Sequence, residues 1–259
     1  MKTVIIKNHT IKLYDSIDEL PVVNFQKYNK CILIDSGIGS DADSIDTHIV
    51  NIAKYINSGD NAKALQELQN MRQNMHMVVS KVSPKYMAFA ALIYSVDGKE
   101  QKDLSDSHLR ELVDNLSEDM PHSILVEVLA SLKKKLSTEL ETYFPSEFDS
   151  AKEKEAYSKL KTRTLLQLQE IIDESTDNSS AIAEIDKFLF SLRKPKNFNG
   201  KESEEIKYDK QFESACMVIS QKTNMNGKKM TVLEFYNTLT NISEQLKAEK
   251  KAYKRNKRS

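Results

Sequence analysis

Glycine and proline are scarce, with six and five in 259 residues. A sandwich of many short strands needs such residues at its turns, so that class is disfavoured. Cysteine is nearly missing. Cys31 and Cys216 stand alone, in the apolar settings KCILID and SACMVI. Two thiols make no disulfide framework and are too few for a cysteine-based zinc site. Both read as buried free thiols, compatible with a reducing cytoplasm. Net charge is also lacking: 38 basic and 38 acidic side chains cancel, so any attraction to nucleic acid must be local. No run approaches the roughly 18 apolar residues of a membrane helix. The first 14 residues alternate polar with apolar and show no leader pattern. A chain made and kept in water, without a membrane partner, is expected.

What the chain does have is helical periodicity, in a length that fits one large domain or two smaller ones. The expected class is mainly α: a helical bundle with a short N-terminal β hairpin and long C-terminal helices. Val4-Ile5-Ile6 and Ile11 to Tyr14 flank an Asn-containing turn, which gives a hairpin over residues 1–16. A lone hairpin is marginal in water, so it should pack on helices or pair with a neighbouring subunit. Ser16 and Glu19 have capping-box spacing and Pro21 suits a first helical turn.

Residues 17–117 read as a compact bundle. Val22, Phe25, Cys31 and Ile34 mark one helix, ended by Gly37 and Gly39. Ile45, Ile49, Ile52 and Ile56 stripe a second, and Leu65, Leu68, Met71, Met75 and Val78 a third. Ser83-Pro84 starts a short apolar helix to Val96, Asp97-Gly98 turns the chain, and Leu104-Ser105 begins the next. Residues 118–192 form a region of longer, more charged helices, interrupted at Pro145 and recapped at Asp177-Asn178. Residues 193–210, with Pro195, Gly200 and many charges, read as a loop or linker. A C-terminal helical segment follows over 211–246, with Thr231 and Glu234 as a second capping box. Residues 247–259 form a basic tail.

Motifs that carry chemistry are weak. Gly37-Ile38-Gly39-Ser40-Asp41 offers a phosphate cradle or a helix end followed by a cap. It lacks the Lys-Ser/Thr of a phosphate-binding loop, and Asp41, Asp43 and Asp46 would repel phosphate, so the cap is preferred. Those acids also miss the alternating ligands and terminal Glu of a calcium loop. His9, His48, His76, His108 and His122 have no ligand-type spacing. No nucleophile elbow is present. No catalytic, cofactor-binding or metal-binding residue is assigned, and the chain is not expected to be an enzyme. Met71 and Met75 share a helix face, with Met77 near; core packing is expected in preference to a Met-rich recognition groove.

The tail is the clearest charged feature. Lys247, Lys250, Lys251, Lys254, Arg255, Lys257 and Arg258 face one acid, Glu249, with Tyr253 interleaved. One reading is a solvated helix end, where cations suit the negative pole of the dipole. Another is contact with nucleic acid, with Tyr253 stacking on a base and binding that weakens steeply with salt. An acidic partner protein is the third.

Leu20-Pro21, Phe25 to Lys30, Leu33 to Asp41, Asp46, His48-Ile49, the Ser58-Gly59-Asp60 turn, Ala88 to Leu92 and Asp97-Gly98 together form a dispersed pattern. In it, residues 13–117 resemble helical structural proteins of tailed bacteriophages of gut bacteria, the crAss-like podoviruses in particular. The stretch Phe212 to Cys216, with Thr231 to Tyr236, is similar in style to small helical phage tail modules. The resemblance implies a virion protein made in the host cytoplasm, in the portal, neck or tail region: a ring or head-tail connector subunit. Its partners would be other copies of itself in a ring and neighbouring portal, neck or tail proteins, with DNA reached through the basic tail. A tail assembly chaperone absent from the finished particle, or a helical DNA-associated protein, are the alternatives.

Overall fold

The computed structural model describes all residues except 8, 81–82, 118–121, 149–150, 174–175, 193 and 257–259. It is mainly α, with a short β hairpin at the N-terminus. Contacts divide the chain into two compact units, Met1–Leu140 with Lys196–Ser259, and Glu141–Pro195. The divide falls inside the region expected to hold long helices throughout.

In the first unit the hairpin is strands β1 (Lys2–Ile6) and β2 (His9–Leu13), paired antiparallel. It does not stand alone. Strand β3 (Ile93–Val96) pairs with β2, and the two-residue β4 (Lys99–Glu100) closes a meander in the order β1-β2-β3-β4. This corrects the expected helix to Val96, which instead stops at Ala91. Asp97 and Gly98 take φ of 49° and 81°. Two successive positive φ values make the tight turn whose twist matches antiparallel strands. The Ile-Tyr-Ser-Val run before it therefore gains more from the ladder to β2 than from another helical turn.

Helix α1 (Val22–Gly37) starts after Pro21. Ser16 and Glu19 form no capping box there: the Ser16 hydroxyl donates to Glu139 at 3.0 Å. Helices α2 (Ala42–Asn57) and α3 (Asn61–Ser80) form an antiparallel hairpin. Helix α4 (Pro84–Ala91) packs on α1, and α5 (Asp106–Ser117) on α4. Helix α6 (His122–Tyr143) contributes Leu125, Leu129, Leu132, Leu136 and Leu140 to the buried set, with Ile11, Leu13 and Ile93 from the sheet and Phe89 from α4.

The C-terminal helices of this unit are α10 (Glu204–Thr223) and α11 (Val232–Asn256). Helix α10 begins within the segment expected as a linker, capped by the Ser203 hydroxyl, which accepts from the Glu205 amide at 3.3 Å. The capping box at Thr231 is present: its amide donates to Glu234 at 2.9 Å, and its hydroxyl accepts from the Glu234 amide at 3.3 Å. Pro21 and Thr231 form a bridge, and the Val22 amide donates to the Met230 carbonyl at 3.0 Å. Val22 packs there with Ile219, Phe235 and Ile242, so the end of the chain closes on the start of α1.

The second unit is α7 (Pro145–Phe148), α8 (Ala151–Ile172) and α9 (Ser179–Leu192). Helices α8 and α9 pack on each other. Arg163 grips Asp186 with two donors, at 2.6 and 3.3 Å. The Asn178 side chain donates to the Leu166 carbonyl at 3.1 Å.

Candidate interaction surfaces

The α2–α3 hairpin is built inside out. The isoleucine stripe of α2 and the Leu/Met stripe of α3 were expected to face the core. Instead Ile49, Ile56, Leu65, Leu68 and Met75 are each between 46% and 62% exposed, and Val79 is 81% exposed. Ile45, Ile52 and Met71 are only half-buried. What is buried is polar: His48, Asn51, Glu67, Asn70 and Asn74, the last two with no exposure at all. The expectation that Met71 and Met75 pack in the core fails for Met75 and is half met by Met71.

The reason lies in the hydrogen bonds. Glu67 Oε1 accepts from the Asn51 amide at 2.9 Å and lies 3.0 Å from His48 Nδ1. His48 Nε2 lies 2.6 Å from the Ile38 carbonyl oxygen, so that nitrogen must carry a proton and donate. One further proton is then shared between His48 Nδ1 and Glu67 Oε1. Burial opposes the charged form of His48, but the Glu67 carboxylate and the Ile38 carbonyl outweigh it and raise its pKa. Burial also works against ionised Glu67, and the bonds from His48 and Asn51 prevail, lowering its pKa. The pair is therefore an imidazolium and a carboxylate, each with its lone pairs or protons satisfied, as buried charges require.

Further bonds tie this row to the rest of the unit. Asn70 donates to the Lys196 carbonyl at 3.1 Å, and Gln73 donates to Asn199 at 2.6 Å. Asn74 donates to the Asp41 carbonyl at 3.2 Å. The segment 196–199 thus lies along one side of the hairpin.

The glycine loop ahead of α2 takes the helix-cap arrangement. Gly39 sits at φ +78°, and a Cβ there would fall 2.3 Å from that of Ser44. Asp41 Oδ1 accepts from the Ser44 amide at 2.9 Å and from its hydroxyl at 2.6 Å, while Oδ2 accepts from Lys85 at 2.7 Å. Lys85 and Ser44 hold the Asp41 pKa down to about 2.

The other chemistry-bearing residues stay apart. His9 lies 2.7 Å from Asp97, and His108 is 2.9 Å from Gln101. The side chain of His122 lies outside the described residues. Among the described residues no group of three His, Cys, Asp or Glu is placed to hold a metal. Both cysteines are buried and free, and burial pushes the Cys31 thiol up to about 11. A cleft of about 230 Å³ opens beside Cys31. Its two lysines are paired, Lys27 with Asp106 and Lys30 with Asp209 at 2.7 Å, and Arg110 also lines it.

The basic tail continues helix α11 to Asn256. Lys247, Lys250 and Lys251 are exposed. At about 100° per residue they fall on one face of the helix, with Glu249 on the other. The side chains of Tyr253, Lys254 and Arg255, and the whole of Lys257 and Arg258, lie outside the described residues. In the second unit, Tyr157, Leu160, Leu168 and Ile171 run along α8 at exposures of 45% to 75%. Arg163 marks the α9-facing side of that helix.

Sequence reasoning missed the buried polar row. Its signal was present: His48, Asn51 and Tyr55 on one helix, and Glu67, Asn70 and Asn74 on the next, repeat with the same spacing as the apolar stripes. Periodicity alone does not say which of two stripes faces inward. Among the described residues no helix is long and apolar enough to cross a membrane. No family profile, no curated protein and no solved structure matches the chain.

Proposed function

We propose that this chain is a structural assembly subunit, acting through surface contacts and not through catalysis. The setting we propose is a tailed-phage particle, as a ring or adaptor component of the portal, neck or tail. The observation that carries the assembly reading is the α2–α3 hairpin. It keeps a hydrogen-bonded polar row inside and turns a two-helix apolar face to solvent. Monomers rarely expose contiguous apolar surface of this size without a partner for it. The exposed stripe on α8 supports the same reading. The particle itself is suggested by the resemblance of residues 13–117. Mass spectrometry of purified particles tests it: the chain should be present, at a copy number fitting a ring. Absence from finished particles, together with presence in assembly intermediates, would favour a tail assembly chaperone.

A second reading rests on Lys247, Lys250 and Lys251 sharing one exposed face at the end of α11. Such a face suits phosphate contacts that release counterions. Under that reading, deleting residues 247–259 abolishes salt-sensitive DNA binding. Unchanged binding after the deletion rules it out.

A further inference from the structure

We infer that the groove between α1 and α3 binds an extended, acidic segment of a partner protein, anchored by one apolar side chain. This rests on the assembly reading and adds the chemistry of a partner.

Residues 196–199 show how the groove holds a chain. The Lys196 carbonyl accepts from Asn70 of α3 at 3.1 Å, and the Lys196 side chain donates to Ser36 of α1 at 2.9 Å. Phe198 is 9% exposed, and a Cβ on Gly37 would fall 2.4 Å from its ring. Gln73 donates to the Asn199 side chain at 2.6 Å, and Asn199 donates to Gln69 at 3.4 Å. A carboxamide on a main-chain carbonyl and a ring laid on bare backbone are contacts by which a groove holds a peptide.

Past Asn199 the groove is open. A cleft of about 590 Å³ follows α3 along Gln69, Arg72, His76 and Met77. Met77 also walls the cleft of about 230 Å³ beside Cys31, so the two adjoin. Ile34 and Cys31 of α1 and Met87 of α4 add to the apolar lining of this second cleft. Thioethers adapt to many apolar shapes, which suits a pocket for one anchoring side chain. From Gln69 to Met77 helix α3 rises about 12 Å, roughly four residues of extended chain.

Charge selects the occupant. The carboxylates that line the clefts are already engaged: Asp106 pairs with Lys27, and Glu205 lies 3.7 Å from Lys30. Arg72 lines one cleft and Arg110 the other, both exposed. Among the described residues neither arginine has an ion pair. The charge left over is therefore of one sign, with a guanidinium in each cleft. Guanidinium groups hold carboxylates with two parallel donors. An acidic segment satisfies both, whereas a basic one meets two unpaired cations and no free carboxylate.

The test uses the full chain with labelled methionine methyls, followed by NMR. The probe is a synthetic peptide with one phenylalanine between two pairs of glutamates; in a control the glutamates are lysines. The acidic peptide should shift the Met77 and Met87 methyls at millimolar concentration. Met217 and Met225, 61% and 52% exposed and towards the far end of α10 from Glu205, should stay in place. Replacing both arginines, Arg72→Ala with Arg110→Ala, should weaken binding about tenfold with an unchanged helical spectrum, since both side chains are exposed. Three results would overturn the inference: Met77 and Met87 methyls unmoved by the acidic peptide at about 5 mM, equal shifts with the lysine control, or binding indifferent to the double arginine variant. Particle composition tests the assembly reading separately. A chain present in particles whose groove takes no acidic peptide would sink this inference and leave that reading standing.

Discussion

Replacing Glu67 by alanine should unfasten the α2–α3 hairpin. Glu67 is 5% exposed. Its Oε1 serves both His48 and Asn51, and Oε2 receives a longer bond from Asn70 at 3.5 Å. Alanine leaves two buried donors without an acceptor, at about 1–3 kcal/mol each. It also strips the buried imidazolium of its counterion, and breaking such a pair costs about 3–5 kcal/mol. His48 recovers part of this by losing its proton, keeping the Nε2 bond to Ile38. The expected cost is therefore about 3 kcal/mol, or about 6–12 °C in melting temperature for a chain of this length. Far-UV circular dichroism in urea and on heating measures it. Amide exchange locates it: α2 and α3 should lose protection while α1 and α4, packed on each other, keep theirs. Ile49→Ser, at a position 52% exposed, should cost under about 0.5 kcal/mol when measured dilute. That ranking, polar residue costly and isoleucine cheap, inverts what an ordinary amphipathic hairpin gives. A Glu67→Ala cost below that of Ile49→Ser would refute the inside-out packing.

Other outcomes follow from the same contacts. The folded pKa of His48 is raised above 6.5, so its contribution is full below that value and fades as pH rises through the folded pKa. The folded pKa of Glu67 is lowered below 4.5, so its contribution is full above that value and fades as pH falls through the folded pKa. The pair thus stabilises most between the two reference values, 4.5 and 6.5. The melting temperature should drop as pH rises above 6.5 through the folded pKa of His48, by less in Glu67→Gln; equal drops would count against the pair. Gly39→Ala should cost about 1–3 kcal/mol in urea denaturation, because φ is +78° and the new Cβ would press on Ser44. Thr231→Ala removes one half of a reciprocal cap and should cost about 1 kcal/mol in the same assay.

Much of the fold was legible in the chain because it is set by local chemistry. Scarce glycine and proline, 3.6-residue periodicity and discrete stop signals gave the helical class and most helix boundaries. Thr231 and Glu234 specified their cap within four residues of sequence, and the N-terminal alternation specified its hairpin. The run Ile93–Val96 was misread because its strand state is stabilised by β2, some 80 residues away in sequence. The bridge from Pro21 to Thr231 is of the same kind.

The candidate interaction face marks the boundary between the two. Sequence by itself determined that α2 and α3 each carry two stripes, one apolar and one polar, and that the end of the chain is basic. Only the tertiary structure decided which stripe is inside. A carbonyl at Ile38, another at Lys196 and a carboxylate at Glu67 were brought within reach of His48, Asn51 and Asn70. His48, Asn51, Glu67 and Asn70 satisfy one another and these carbonyls well enough to be buried, with the Asn74 and Gln73 side-chain oxygens left without a partner, and the isoleucines and leucines take the outside. The hydrophobic effect favours burying apolar side chains wherever a surface is available to cover them. On this hairpin the covering surface belongs, in our proposal, to an assembly partner.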